Sequence, residues 1–133
     1  MFAARSEPNV AIFREQIAAF RELLARATPT EEQAADVDLL LAVGELFALV
    51  VYAQLVLEGA ALRDDVDGDA VDQMFGVFVR DLSRLALDLH LKPACTLQQQ
   101  ELALRMVRRP AFDAARHERV WHEVHALKDA YEM

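Results

Sequence analysis

The stretch HERVWHEVHAL, residues 117–127, holds three of the chain's four histidines. Imidazole is the commonest transition-metal ligand, so the spacing is tested first. It is not the H-E-x-x-H pattern of zinc proteases, because Ala126 lies four residues after His122 and Trp121 lies four after His117. Glu118, His122 and His125 fall at i, i+4 and i+7, which presents three candidate ligands on one helical face. Asp129 continues that row, and the row lies away from an apolar stripe of Val120, Val124, Leu127 and Tyr131. A polar row opposite an apolar one is the pattern of a solvated amphipathic helix. That reading outweighs metal binding, and the expected metal set is none. DVDGD at 65–69 carries alternating carboxylates of the kind a calcium loop uses. Counting from Asp65, however, Ala70 stands where the loop needs glycine and Gly76 where it needs glutamate. An acidic interhelix loop with a helix cap is the expectation there.

Three further groups have chemical potential. Arg105, Arg108 and Arg109 share one side of a short helix near its C-terminus. Cations there complement the helix dipole, and they are also a candidate contact for a phosphate or an acidic partner. Cys95, the single cysteine, follows Pro93 near a helix start that could lower its pKa. No histidine is fixed beside it by sequence, so a packed thiol is expected. Phe47, Tyr52, Phe75, Phe78 and Trp121 could line an apolar pocket for an acyl chain or form an interface, against the blander reading of a filled aromatic core. There is no nucleophile elbow, phosphate loop or dinucleotide fingerprint, and no catalytic residue is expected.

The elements that position these groups read as helices throughout. Gly and Pro number only 4 each, against abundant Ala, Leu, Glu, Gln and Arg. A first helix is expected over about Pro8–Ala27, with Val10, Phe13, Ile17, Phe20, Leu24 and Ala27 as its stripe. Thr28 or Thr30 caps a second, expected over about Glu31–Leu62. Thr30 has Gln33 in the capping-box position. A third begins at Asp67 or Asp69 and ends before Pro93, with Val71, Met74, Phe78, Leu82, Leu85 and Leu89 facing the core. Thr96 and Gln99 cap a short helix over about Leu97–Arg108, and a last helix starts near Asp113. The architecture expected is all-α, a single domain over 1–133: an antiparallel bundle of four main helices plus one short one.

Within the second helix, LLLAVGELFALVVYAQLVL (39–57) is 19 residues with Glu45 as its only charge. That length fits a bilayer span. Glu45 and Gln54 inside it, and an acidic N-terminal flank with no nearby Lys or Arg, argue against one. The expectation is a central core helix, apolar nearly all round because one-sided helices pack against it. Glu45 and Gln54 are then expected at the bundle rim or bonded to a partner. The net charge of −8 disfavours nucleic acid and anionic lipid. A lone cysteine, and an N-terminus without the apolar run of a secretory signal, lead to a cytoplasmic expectation.

VGELFALVVYAQLVLEGA (43–60), VDQMFGVFVRDLSRLALDLH (71–90) and ALRMVRRPAFDAARHERVWHEVHALKDAYEM (103–133) resemble the C-terminal helical part of large bacterial flavin-dependent acyl-CoA dehydrogenases. Such proteins close with a similar arginine–proline step, an aromatic helix and a short YEM-like tail. The family binds FAD and oxidises an acyl-CoA thioester at Cα–Cβ, with a carboxylate base taking the α-proton. This chain shows no pattern for the β-domain that embraces the flavin. Glu58, in LEGA, lacks the surroundings of the family's base motif, and the catalytic role is not carried onto it. The resemblance therefore implies a non-catalytic extension with no cofactor of its own, FAD belonging only to a full-length relative. Its partners would be an acyl-CoA dehydrogenase catalytic chain or a second copy in a homo-oligomer. The alternatives are an acyl-chain-binding bundle or a fragment of such an enzyme.

Overall fold

The computed structural model describes residues 7–26, 30–63, 68–112 and 114–132. They form an all-α bundle of six helices in the order α1 (Pro8–Arg26), α2 (Glu31–Ala34), α3 (Val37–Ala61), α4 (Gly68–His90), α5 (Leu97–Arg105) and α6 (Ala114–Glu132). Among the described residues there is no strand.

The helix expected over 31–62 is two helices. Thr30 caps α2 with its hydroxyl, which accepts from the Gln33 N–H at 3.2 Å, and the Gln33 side chain returns to the Thr30 N–H at 3.0 Å. One turn later the chain leaves the helix at Ala35. Asp36, in extended conformation, then caps α3 by accepting from the Leu39 N–H at 3.1 Å. A carboxylate placed to satisfy orphan amides restarts the helix after the break. Thr96 and Gln99 repeat the capping box at the start of α5. Thr28 lies outside the described residues, as does most of the DVDGD loop.

The central helix is α4, which packs against α1, α3, α5 and α6. This corrects the expectation that 39–57 is the central helix. The physical reason is visible in α4 itself. It buries Val71, Phe75, Val79, Leu82, Ala86 and Leu89, and between them it also buries Asp72 and Ser83. Those polar positions disguise a broad buried surface as a moderately amphipathic one. The buried line is also rotated from the expected stripe, leaving Met74 and Val77 exposed and Phe78 and Leu85 half-buried. In α1 the buried line is Val10, Phe13, Ile17, Phe20 and Leu23, with Leu24 exposed instead. Edge-to-face rings join the helices: Phe13 of α1 to Phe75 of α4 at 5.5 Å and Tyr52 of α3 to Phe78 of α4 at 5.8 Å.

Buried polar side chains fasten the elements together. Asn9 receives the Ala111 N–H at 2.7 Å and donates to the Asp72 and Ala111 carbonyls, both at 3.1 Å. Gln16 donates to the Val79 and Met106 carbonyls at 3.2 and 2.8 Å and to Ser83 Oγ at 3.0 Å. The segment after α5, which has no helical bonds of its own beyond Val107, is thereby strapped across α1 and α4. The glutamines of the two capping boxes bond each other reciprocally, Gln33 Nε2 to Gln99 Oε1 at 2.7 Å and Gln99 Nε2 to Gln33 Oε1 at 3.0 Å. Every one of these side chains is buried, so each bond replaces water that the group has lost.

Candidate interaction surface

Helix α3 presents its inner face to α4 through Leu39, Ala42, Leu46, Ala53, Leu57 and Ala60, all buried. Those six positions occupy one side of a 3.6-residue spiral. The opposite side is apolar as well and lies in the open: Leu41 is 62% exposed, Leu55 59% and Leu62 87%. Val37 and Val51 stand on the same line, with Gly44 and Ala48 between them, also exposed. Only 17% of the most apolar stretch of α3 is buried. A core helix of a soluble bundle covers most of such a surface. The polar residues sit on the flanks. Glu45 is exposed, and Gln54 is exposed with its amide 3.4 Å from Glu58 Oε1. The N-terminal end of α3 is anchored by Lys92, whose ammonium lies 2.8 Å from Asp38. That hydrogen bond raises the Lys92 pKa above its ordinary value, with smaller help from the charges of Asp38, Asp88 and Asp36 against some desolvation.

The aromatic residues singled out from sequence do not converge on one cavity. Phe47 and Tyr52 flank the open stripe of α3, both 58% exposed, and Tyr52 leans edge-on against Phe78 of α4 at 5.8 Å. Phe75 is fully buried in the core. Trp121 is exposed on α6 and meets His125 edge-on at 4.6 Å. Of the three arginines, Arg105 bonds Glu22 of α1 at 3.2 Å and Arg108 pairs with Glu15 of α1. Arg109 is exposed beside them. The helix expected to reach Arg108 ends at Arg105, so two of the three cations bind α1 carboxylates from different segments, Arg105 from the end of α5 and Arg108 from the strap beyond it.

His117, His122 and His125 are exposed, and among the described residues no three His, Cys, Asp or Glu side chains come together as a metal site. Arg119 instead ties α6 to the start of α4 through two bonds to Asp69, at 2.6 and 3.0 Å. Cys95 is buried, its thiol donating to the Leu89 carbonyl at 3.2 Å. Burial pushes its pKa up, with Lys92 opposing. That is the reverse of the activation a nucleophile needs. An open groove of about 250 Å³ runs between α4 and the strap, lined among others by Gln73, Gly76, Arg80, Phe112 and His117.

No family model, curated protein or solved structure matches this chain.

Sequence reasoning missed Asn9, Gln16, Asp72 and Ser83, because a polar residue inside an apolar stripe reads as an interruption. Gln33 and Gln99 were legible as the glutamines of two T-x-x-Q capping boxes, and both boxes are present. Their mutual contact has no trace in local spacing.

Proposed function

We propose that this chain is a non-catalytic helical packing domain whose contact surface is the outer face of α3. The observation that carries the proposal is the open apolar line from Val37 to Leu62 on a helix whose inner face is already satisfied by α4. Scattered apolar residues on a surface need no partner, but a line that runs the length of a helix and is broken only at Glu58 marks an interaction surface. Scaled by their exposed fractions, covering Val37, Leu41, Val51, Leu55 and Leu62 contributes about 5 kcal/mol in all, at the low end of about 1.5 kcal/mol for full burial of each. That gross gain exceeds the low end of the association cost, about 4 kcal/mol. The use of Arg105, Arg108, Asn9, Gln16 and Ser83 in internal fastening also favours a structural role over a chemical one. The resemblance to acyl-CoA dehydrogenase extensions makes the catalytic chain of such an enzyme one partner to test, and a second copy the other.

The same helix is long and apolar enough to cross a bilayer, which supports a second reading in which α3 enters a membrane. Insertion would carry Glu45, Gln54 and Glu58 into lipid and would strip Leu39, Leu46 and Leu57 from α4, so protein contact is the reading with the lower cost.

The test is the pair Leu41→Glu with Leu55→Glu. Both positions are exposed, so the urea midpoint of the isolated domain should stay within about 0.5 kcal/mol equivalent of wild type. Self-association, or capture by a dehydrogenase chain, should disappear. Wild-type protein that floats with neutral lipid vesicles, and otherwise sediments as a monomer, would favour the membrane instead.

A further inference from the structure

We propose that the occupant of the outer α3 face is a second copy of the same helix, running antiparallel across a two-fold axis. The inference rests on α3 being a packing surface and adds the identity and direction of its partner.

The open line advances by alternating steps of four and three residues: Val37, Leu41, Gly44, Ala48, Val51, Leu55, then Glu58 and Leu62. This is the seven-residue repeat of helices that pack side by side. Two large side chains, Val37 and Leu41, are followed by two small ones, Gly44 and Ala48, and again by two large ones, Val51 and Leu55, an order that can complement its own reverse. A register placing Leu62 against the partner's Val37 also places Leu55 against the partner's Gly44. It sets Ala48 against the partner's Val51, and Leu41 over the partner's Glu58–Gly59 step. Two of these four layers thus match a large side chain to a small one, Leu55 to Gly44 and Val51 to Ala48. Glu58 is already turned aside toward Gln54.

A parallel pair has none of this fit. It would stack Gly44 on the partner's Gly44 and Ala48 on the partner's Ala48, leaving a gap through two layers. It would also place Glu58 against the partner's Glu58, and two like charges at a contact oppose it. The antiparallel pair separates the two Glu58 residues by nearly a helix length. It also opposes the helix dipoles, the positive end of each α3 lying beside the negative end of the other. Glu45 comes beside the partner's Tyr52, a hydroxyl rather than a charge.

Each chain carries a net charge of −8, so the two copies repel at long range while the contact line is nearly uncharged. Screening removes that repulsion, and added salt should tighten the dimer. A single helix pair about 37 Å long lies at the small end of specific interfaces, so a dissociation constant in the micromolar range is expected.

Two measurements test the proposal. The first is a spin label on Ala61→Cys in a Cys95→Ala background, Ala61 being exposed at the end of α3. Antiparallel pairing predicts an inter-label distance of about 35–40 Å, from a rise of 1.5 Å per residue. A dimer with the labels within about 20 Å is parallel and overturns the register. The second is Gly44→Leu. A Cβ at Gly44 meets nothing within 4 Å in the single chain, so the fold accepts it. In the dimer it meets the partner's Leu55, and the dissociation constant should rise at least about tenfold. Unchanged dimerisation overturns the proposal. A chain that stays monomeric but binds a dehydrogenase catalytic chain through Leu41 and Leu55 overturns the second copy as occupant while leaving α3 a packing surface. A chain that does neither overturns both.

Discussion

The reciprocal glutamine pair gives the sharpest energetic prediction about the fold. Gln33 makes four bonds: it accepts from the Thr30 N–H, donates to the Ala94 carbonyl, and exchanges two bonds with Gln99. Gln99 shares those two bonds and also accepts one from the Thr96 N–H. A net bond is worth about 1 kcal/mol, and a buried group left without a partner costs about 1–3 kcal/mol. Gln33→Ala should therefore cost about 4 kcal/mol and Gln99→Ala about 3 kcal/mol. The double variant loses the shared bonds only once and leaves neither amide stranded. It should cost about 5 kcal/mol, for a coupling of about 2 kcal/mol. Urea unfolding of the four proteins, with a common slope, measures the cycle. Additivity within about 0.5 kcal/mol would refute the reasoning, since it would mean that the two boxes fold without sensing each other.

Other consequences follow from single positions. Gly59→Ala should stabilise the chain by up to about 1 kcal/mol in thermal melts, because its Cβ meets nothing within 4 Å and glycine is costly inside a helix. Gly76→Ala should destabilise by about 1 kcal/mol instead: its Cβ falls 3.2 Å from Asn9 Nδ2, which bonds to Asp72 and Ala111 hold in place. Cys95 should resist alkylation until the chain unfolds. Its folded pKa is raised by burial, so its contribution to stability is whole below the unfolded thiol pKa and is lost as pH rises through the folded value; urea midpoints should fall on the alkaline side of about pH 8.5, and less steeply in Cys95→Ala. Arg108→Ala should cost under about 1 kcal/mol, as its pair with Glu15 is largely exposed, and high salt should erase the difference.

Most helix ends were legible in the sequence because caps are local. Thr30 with Gln33, Thr96 with Gln99, and the stop before Pro93 all depend on residues within one turn. The break at Ala35–Asp36 was not legible, since an aspartate near a helix start reads equally as a first-turn acid or as a cap. Nor was the rank of the helices. Apolarity alone pointed to 39–57 as the centre. The chain instead centres α4, whose buried Asp72 and Ser83 find their partners in α1 and the strap, 63 and 25 residues away. Hydrogen bonds of that sequence separation leave no periodic signature. The surplus apolarity of α3 was legible all along. The structure changed its meaning, from a helix covered on every side to one with an uncovered face.

That face is tested most directly by sedimentation of the wild type and of Leu41→Glu/Leu55→Glu, each alone and each with an acyl-CoA dehydrogenase catalytic chain. The wild type should travel in a complex heavier than its own 15.0 kDa, most simply as a dimer that salt strengthens, while the folded double variant stays at 15.0 kDa. Wild type and variant both at 15.0 kDa, alone and in the mixture, would contradict it.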